Sequence, residues 1–140
     1  MRVKYKVVPQ PEDGNCFFHA ISFLLQRYEI MNVDHKKLRS LLSSYYHKKK
    51  NIKKSIAIAK DGEWADDEDV CATSHITGVN IRVWEGHNKR WITFGNYKSK
   101  IYIINKNNCH FESLIRLNEW NWNWKFARWR RIWKSLQLSL

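Results

Sequence analysis

The sequence predicts an α+β fold. Three observations carry this: a short alternating segment opens the chain, helical spacing fills Cys16 to Gly78, and alternating segments crowd Val79 to Ile115. Strands gathered after the helices, and not interleaved with them, argue against a βαβ succession. A chain of 140 residues suits one domain. Such a domain buries roughly 68–70% of its unfolded surface, enough for one core.

The first element is a strand, since Val3, Tyr5 and Val7 alternate with Lys4 and Lys6. Pro9, Pro11 and Gly14 end it in a loop. A helix follows from Cys16, where Phe17, Phe18, Ile21, Leu24, Leu25 and Tyr28 recur at helical spacing. Asn15 or Asp13 is placed to cap it. Asp34 caps a second helix with Leu38, Leu41, Leu42 and Tyr45 on one face, and His47 to Lys60 continues as short helix and loop. Another helix starts near Asp66, with Asp69 three residues on as an acidic relative of the capping box, and stops at Gly78. The strands expected at Val79–Val83, Arg90–Phe94, Ile101–Ile104 and His110–Ile115 are separated by Gly86, Gly95 and the turn Lys106-Asn107-Asn108.

Composition narrows the class. Apolar residues make up 44%, with 8 Trp, 6 Tyr and 6 Phe, which excludes wholesale disorder. No apolar run is long enough for a transmembrane helix. Met1 to Lys6 lacks the uninterrupted apolar stretch of a signal peptide. The cysteines, Cys16, Cys71 and Cys109, are too few for a disulfide framework and point to a reducing, intracellular compartment.

The net charge of +12 is unevenly placed. Lys36, Lys37, Arg39, Lys48, Lys49, Lys50, Lys53 and Lys54 form one basic stretch, and an acidic cluster spans Asp61 to Asp69. That balance permits a nucleic acid or an anionic membrane as partner without specifying either. Solvated lysine faces are commoner, so nucleic acid is not expected. Residues 116–140 stand apart from a domain over 1–115. There Trp122, Phe126, Trp129, Trp133, Leu136 and Leu140 recur at spacings of 4, 3, 4, 3 and 4, one face of a basic amphipathic helix. Such a stripe packs on its own domain or serves another protein, self-association or an anionic membrane.

Two segments carry chemistry. Asp13-Gly14-Asn15-Cys16-Phe17-Phe18-His19-Ala20 puts a cysteine in the first turn of a helix, behind a glycine loop. Unpaired N–H groups and partial positive charge there lower a thiol's pKa and can hold an oxyanion. A lone cysteine is more often a small buried hydrophobe. In Cys109-His110-Phe111-Glu112, strand alternation puts His110 and Glu112 on one face. Cys16, His110 and Glu112 thus supply a nucleophile, a base and an orienter. Zinc would need Cys16, His19, Cys109 and His110 to converge. Neighbours in a strand face opposite ways, so no metal is expected.

Residues 13–20 resemble the signature of the ovarian-tumour (OTU) family of cysteine proteases, papain-like isopeptidases that remove ubiquitin or ubiquitin-like modifiers from lysine. Asp61-Gly62-Glu63-Trp64-Ala65-Asp66-Asp67-Glu68 resembles the family's Gly-x-Trp segment. Ile101 to Ile104 with Cys109 to Glu112 resembles the strand pair that delivers its histidine. The likeness covers roughly residues 3–115.

The resemblance implies a papain-like fold, with a small mixed sheet packed between helices and the amphipathic helix appended. It implies Cys16 as nucleophile, His110 as general base and Glu112 as orienter, where the family usually has Asp or Asn. Asp13 joins this catalytic set, and the backbone N–H groups of Asp13, Gly14, Asn15 and Cys16 form the oxyanion hole. Trp64, otherwise a core or loop-packing residue, and Phe111 are the candidates for lining the substrate channel. His19 replaces a frequent Arg. No cofactor is implied, and the partner is ubiquitin or a relative. The expected function is a thiol-dependent isopeptidase. The alternatives are a catalytically weak ubiquitin-binding module and a basic nucleic-acid or membrane adaptor.

Overall fold

The computed structural model describes residues 4–108 and 110–117. Cys109 and the tail helix expected over Trp122–Leu140 lie outside them. The described residues form, in chain order, β1 (Tyr5–Val8), α1 (Cys16–Arg27), α2 (His35–Lys48), α3 (Ile52–Ala59), α4 (Asp67–Thr77), β2 (Asn80–Glu85), β3 (Arg90–Phe94), β4 (Lys100–Lys106) and β5 (His110–Arg116). This is the α+β succession that the sequence predicts.

The strands make one mixed sheet in the order β1-β5-β4-β2-β3. Only β2 and β4 run parallel among these pairs; the other neighbours are antiparallel. The last strand therefore sits inside the sheet, between the first strand and β4. Its alternate residues Phe111, Ser113 and Ile115 turn to α1. Phe111 meets Phe17 edge-on at 5.3 Å, and the Ser113 hydroxyl donates to the Ala20 carbonyl at 3.0 Å.

α1 is the central helix. Its Phe17, Phe18, Ile21, Leu24 and Leu25 are all buried, against Leu38, Leu42, Ile81, Ile101 and Ile103 among others. Burying each such side chain contributes roughly 1.5–3 kcal/mol. The opposite sheet face carries a smaller aromatic cluster, in which Trp91 lies 5.3–5.8 Å from the rings of Trp84, Tyr5 and Tyr102. Arg82 and Arg116 stack on it.

Most predicted helix ends are present. Asp34 accepts from the Lys37 N–H at 2.7 Å. Asp66 and Asp69 complete a capping box, each accepting from the other's N–H at 2.9 Å. Gly78 ends α4 with φ 69°, a left-handed conformation costly for other residues. α1 differs from expectation: Asn15 stands at its N-cap, yet no side chain caps it.

The basic stretch is also corrected. Arg39 is 4% exposed and belongs to the interior. Lys54 lies against Asp66, Glu68 and Asp69 at 2.6–3.4 Å, so the acidic cluster takes its charge. Lys36, Lys37, Lys48, Lys49, Lys50 and Lys53 remain exposed.

Candidate active site

Cys16 is the first residue of α1 and only 1% exposed. Its Sγ accepts a hydrogen bond from the Phe111 N–H at 3.4 Å. The thiol thus sits against the start of β5, next to the His110 backbone. His110 Nε2 lies 3.5 Å from Glu112 Oε2, and its Nδ1 is buried without a hydrogen-bond partner. One ring nitrogen faces the carboxylate, and the other has no partner. The Nε2–Oε2 contact is longer than a strong hydrogen bond, as resting sites often are before substrate tightens them. Glu112 is buried, and its Oε1 pairs with Lys106 Nζ.

The electrostatics depart from expectation at Cys16. Burial pushes its thiol above the ordinary value; the N–H groups of Phe111 and Phe17 pull it down, and the charge of Asp13 adds to the rise. The net direction is upward, so the helix terminus alone does not make a thiolate. A neighbouring base must take the proton.

The loop before Cys16 is folded on itself. The Asp13 carboxylate accepts from the Asn15 N–H at 2.9 Å, and the Asp13 carbonyl from the Cys16 N–H at 3.2 Å. Of the four expected oxyanion donors, two are thereby used inside the loop. The N–H groups of Asp13 and Gly14 are not used within it. Asp13 itself is exposed and shapes the loop through this turn.

A brace that the sequence reading missed holds the loop. Asn15 Oδ1 accepts from the Gly62 N–H at 2.9 Å and from Arg39 Nη2 at 2.7 Å. Arg39 also donates to the carbonyls of Ile58 at 2.8 Å, Glu63 at 3.0 Å and, at a longer 3.4 Å, Gly14. Its guanidinium lies 4.2 Å over the Phe18 ring. Arg39, Asn15 and Gly62 thus tie the Cys16 loop to the segment bearing Trp64. The available signal was Arg39's place between Leu38 and Leu42, on the apolar face of α2.

Gly14 is required by close approach. A Cβ on it would fall 1.5 Å from the Gly62 carbonyl oxygen, a backbone atom that cannot swing away. Gly14→Ala should force the two loops apart. A misplacement of about 1 Å costs on the order of 100-fold in rate, so kcat/KM should drop by about 30- to 100-fold while circular dichroism keeps its native shape. A variant with more than half the wild-type activity would show that this contact does not set the site.

The other predicted residues divide. Trp64 is 50% exposed, so it is not a core residue. Phe111 is 7% exposed and packed on Phe17, which corrects its assignment to a channel wall; its backbone N–H, not its ring, serves the site. His19 lies against His35, with ring centroids 4.0 Å apart and planes tilted by 36°. Among the described residues, no three His, Cys, Asp or Glu side chains converge as a metal site.

The chain matches the model of the OTU-like cysteine protease family over residues 11–118, well over half its length. The chain belongs to the OTU-like cysteine protease family. Solved structures of OTU domains share its fold. One OTU domain, in complex with ubiquitin, superposes with a TM-score of 0.71 at 21% identity over 80% of this chain and 70% of that one. The OTU protease of Dera Ghazi Khan virus gives 0.66 at 17% identity over 80% and 81%. A ubiquitin-bound OTU deubiquitinase from Wolbachia pipientis wMel gives 0.66 at 19% identity over 81% and 97%. No curated protein matches. Family membership agrees with the thiol at the head of α1 and the histidine opening β5.

Proposed function

We propose that the chain is a thiol-dependent isopeptidase that removes ubiquitin, or a ubiquitin-like modifier, from lysine through Cys16, His110 and Glu112. The observation that carries this is the Cys16 sulfur set against the Phe111 N–H, next in the chain to His110, whose Nε2 faces Glu112 and whose Nδ1 is buried without a hydrogen-bond partner. Membership of a cysteine protease family and the ubiquitin held by two of its structural relatives support it.

In this reading the Cys16 proton moves to His110 Nδ1 as the sulfur attacks the isopeptide carbonyl carbon. The oxyanion forms against the Asp13 and Gly14 N–H groups. The imidazolium, held by Glu112, returns its proton to the lysine nitrogen as the C–N bond breaks. Water, deprotonated by His110, then attacks the thioester and releases the modifier's carboxylate and the free thiol. Trp64, exposed on the braced loop, lines the path of the modifier's tail. The thiol requires a reducing compartment.

The test is incubation with ubiquitin and its relatives bearing a C-terminal electrophile. A covalent adduct on Cys16 with at least one of them is expected, and no adduct with any of them would overturn the reading. If Glu112 only orients His110, Glu112→Gln should cut turnover by about 10- to 100-fold and leave it measurable, within the usual reach of general acid–base support. Wild-type turnover in that variant would move the role elsewhere, to Asp13 first.

A further inference from the structure

We propose that Lys106 is a positioning residue of this site, holding the Glu112 carboxylate in the orientation from which its second oxygen reaches His110. The inference rests on the Cys16–His110–Glu112 reading above and assigns a part to a residue that reading does not use.

The sheet register supplies the geometry. Lys106 pairs with His110 and Ile104 with Glu112 across β4 and β5. Lys106 therefore stands opposite His110 on the same face, one diagonal step from Glu112, within reach of a long side chain. The two carboxylate oxygens are divided: Oε1 takes the Lys106 ammonium and Oε2 faces His110 Nε2 at 3.5 Å. Glu112 has one more rotatable bond than the Asp or Asn usual at this place in the family. A second anchor removes the freedom that this bond adds. The lysine comes from the exposed hairpin end, with half its side chain in water, while the carboxylate is buried. The pair thus brings a charge to a site that could not otherwise keep a carboxylate ionised cheaply.

The charge state follows the same logic. Burial alone raises Glu112; the Lys106 ammonium and then His110 outweigh it, and the carboxyl rests below its ordinary value. The charged or titratable groups facing it are Lys106 from β4 and His110 from β5, and the uncharged Gln10 N–H, just after β1, also donates to it. Without Lys106 its hydrogen bond and charge no longer oppose burial, and the carboxyl protonates at higher pH than in the wild type. A protonated Glu112 cannot stabilise the imidazolium, so the loss grows as pH falls.

The experiment compares kcat/KM of wild type, Lys106→Met and Lys106→Arg with a ubiquitin-derived substrate from pH 5.5 to 8. Lys106→Met should lose about fivefold at pH 8, the scale of a half-exposed ion pair. The deficit should be larger at pH 5.5 than at pH 8, because without the ammonium the carboxyl protonates at a higher pH. It should appear in kcat and not in KM. Lys106→Arg should restore activity at both ends, and Lys106→Met should add nothing on top of Glu112→Gln. A loss that is the same at every pH, that falls on KM alone, or that arginine does not rescue overturns the role of Lys106 while leaving the isopeptidase reading standing. Absence of hydrolysis by the wild-type chain overturns both.

Discussion

Cys16→Ala should lower kcat by on the order of 10⁴–10⁶, the cost of deleting the nucleophile from a thiol or serine hydrolase. Alanine keeps the helix and removes one sulfur, so the fold should persist by circular dichroism. The more telling result concerns the wild-type thiol at rest. Cys16 is buried and its thiol is pushed up, by burial first, whereas Cys71 is exposed on α4. A small alkylating reagent at pH 7 should therefore modify Cys71 well ahead of Cys16. A ubiquitin-based electrophile should do the reverse, because its tail delivers the carbon to a thiol whose proton His110 can take. This reverses the simple expectation from a helix N-terminus, which favours Cys16 with every reagent. Peptide mapping after both treatments decides it. Early labelling of Cys16 by the small reagent would mean that a thiolate is already present and that burial does not hold the thiol protonated.

Arg39→Met should cost about 3 kcal/mol of stability and lower the melting temperature by about 10 °C. The guanidinium answers four acceptors from three segments, namely Ile58, Glu63 and the adjacent Gly14 and Asn15. Methionine fills the space beside Phe18 but donates nothing, so buried carbonyls lose their partners. Arg39→Lys should recover less than half of the loss, since one ammonium cannot match a planar fork directed at several acceptors. Activity should fall with stability, because the same bonds hold the Cys16 loop to the Trp64 segment. Thermal melts and kcat/KM measured well below the transition separate the two effects. A methionine variant melting within about 2 °C of wild type would show that water replaces the brace.

Local features of this protein were legible in one dimension. Asp34, the Asp66–Asp69 box and Gly78 act within a turn of chain, so residue type and spacing suffice to place them. Cys16 at the head of a helix and His110 two residues from Glu112 in a strand were legible for the same reason. The order of strands was not, because setting β5 between β1 and β4 joins segments about a hundred residues apart.

The same limit applies to everything that burial governs. Arg39 reads as one of a run of basic residues until α2 packs and its guanidinium finds carbonyls from three other segments. Phe111 reads as a ring beside a catalytic histidine until strand alternation turns it onto Phe17. The rise of the Cys16 thiol and the depression of Glu112 come from how much water each loses and which charges face it. The sequence determined which groups the site contains and the local structure that presents them. Tertiary packing alone decided their charge, their partners and the space between the Gly14 and Gly62 backbones, since desolvation and close contact are set by segments far away along the chain.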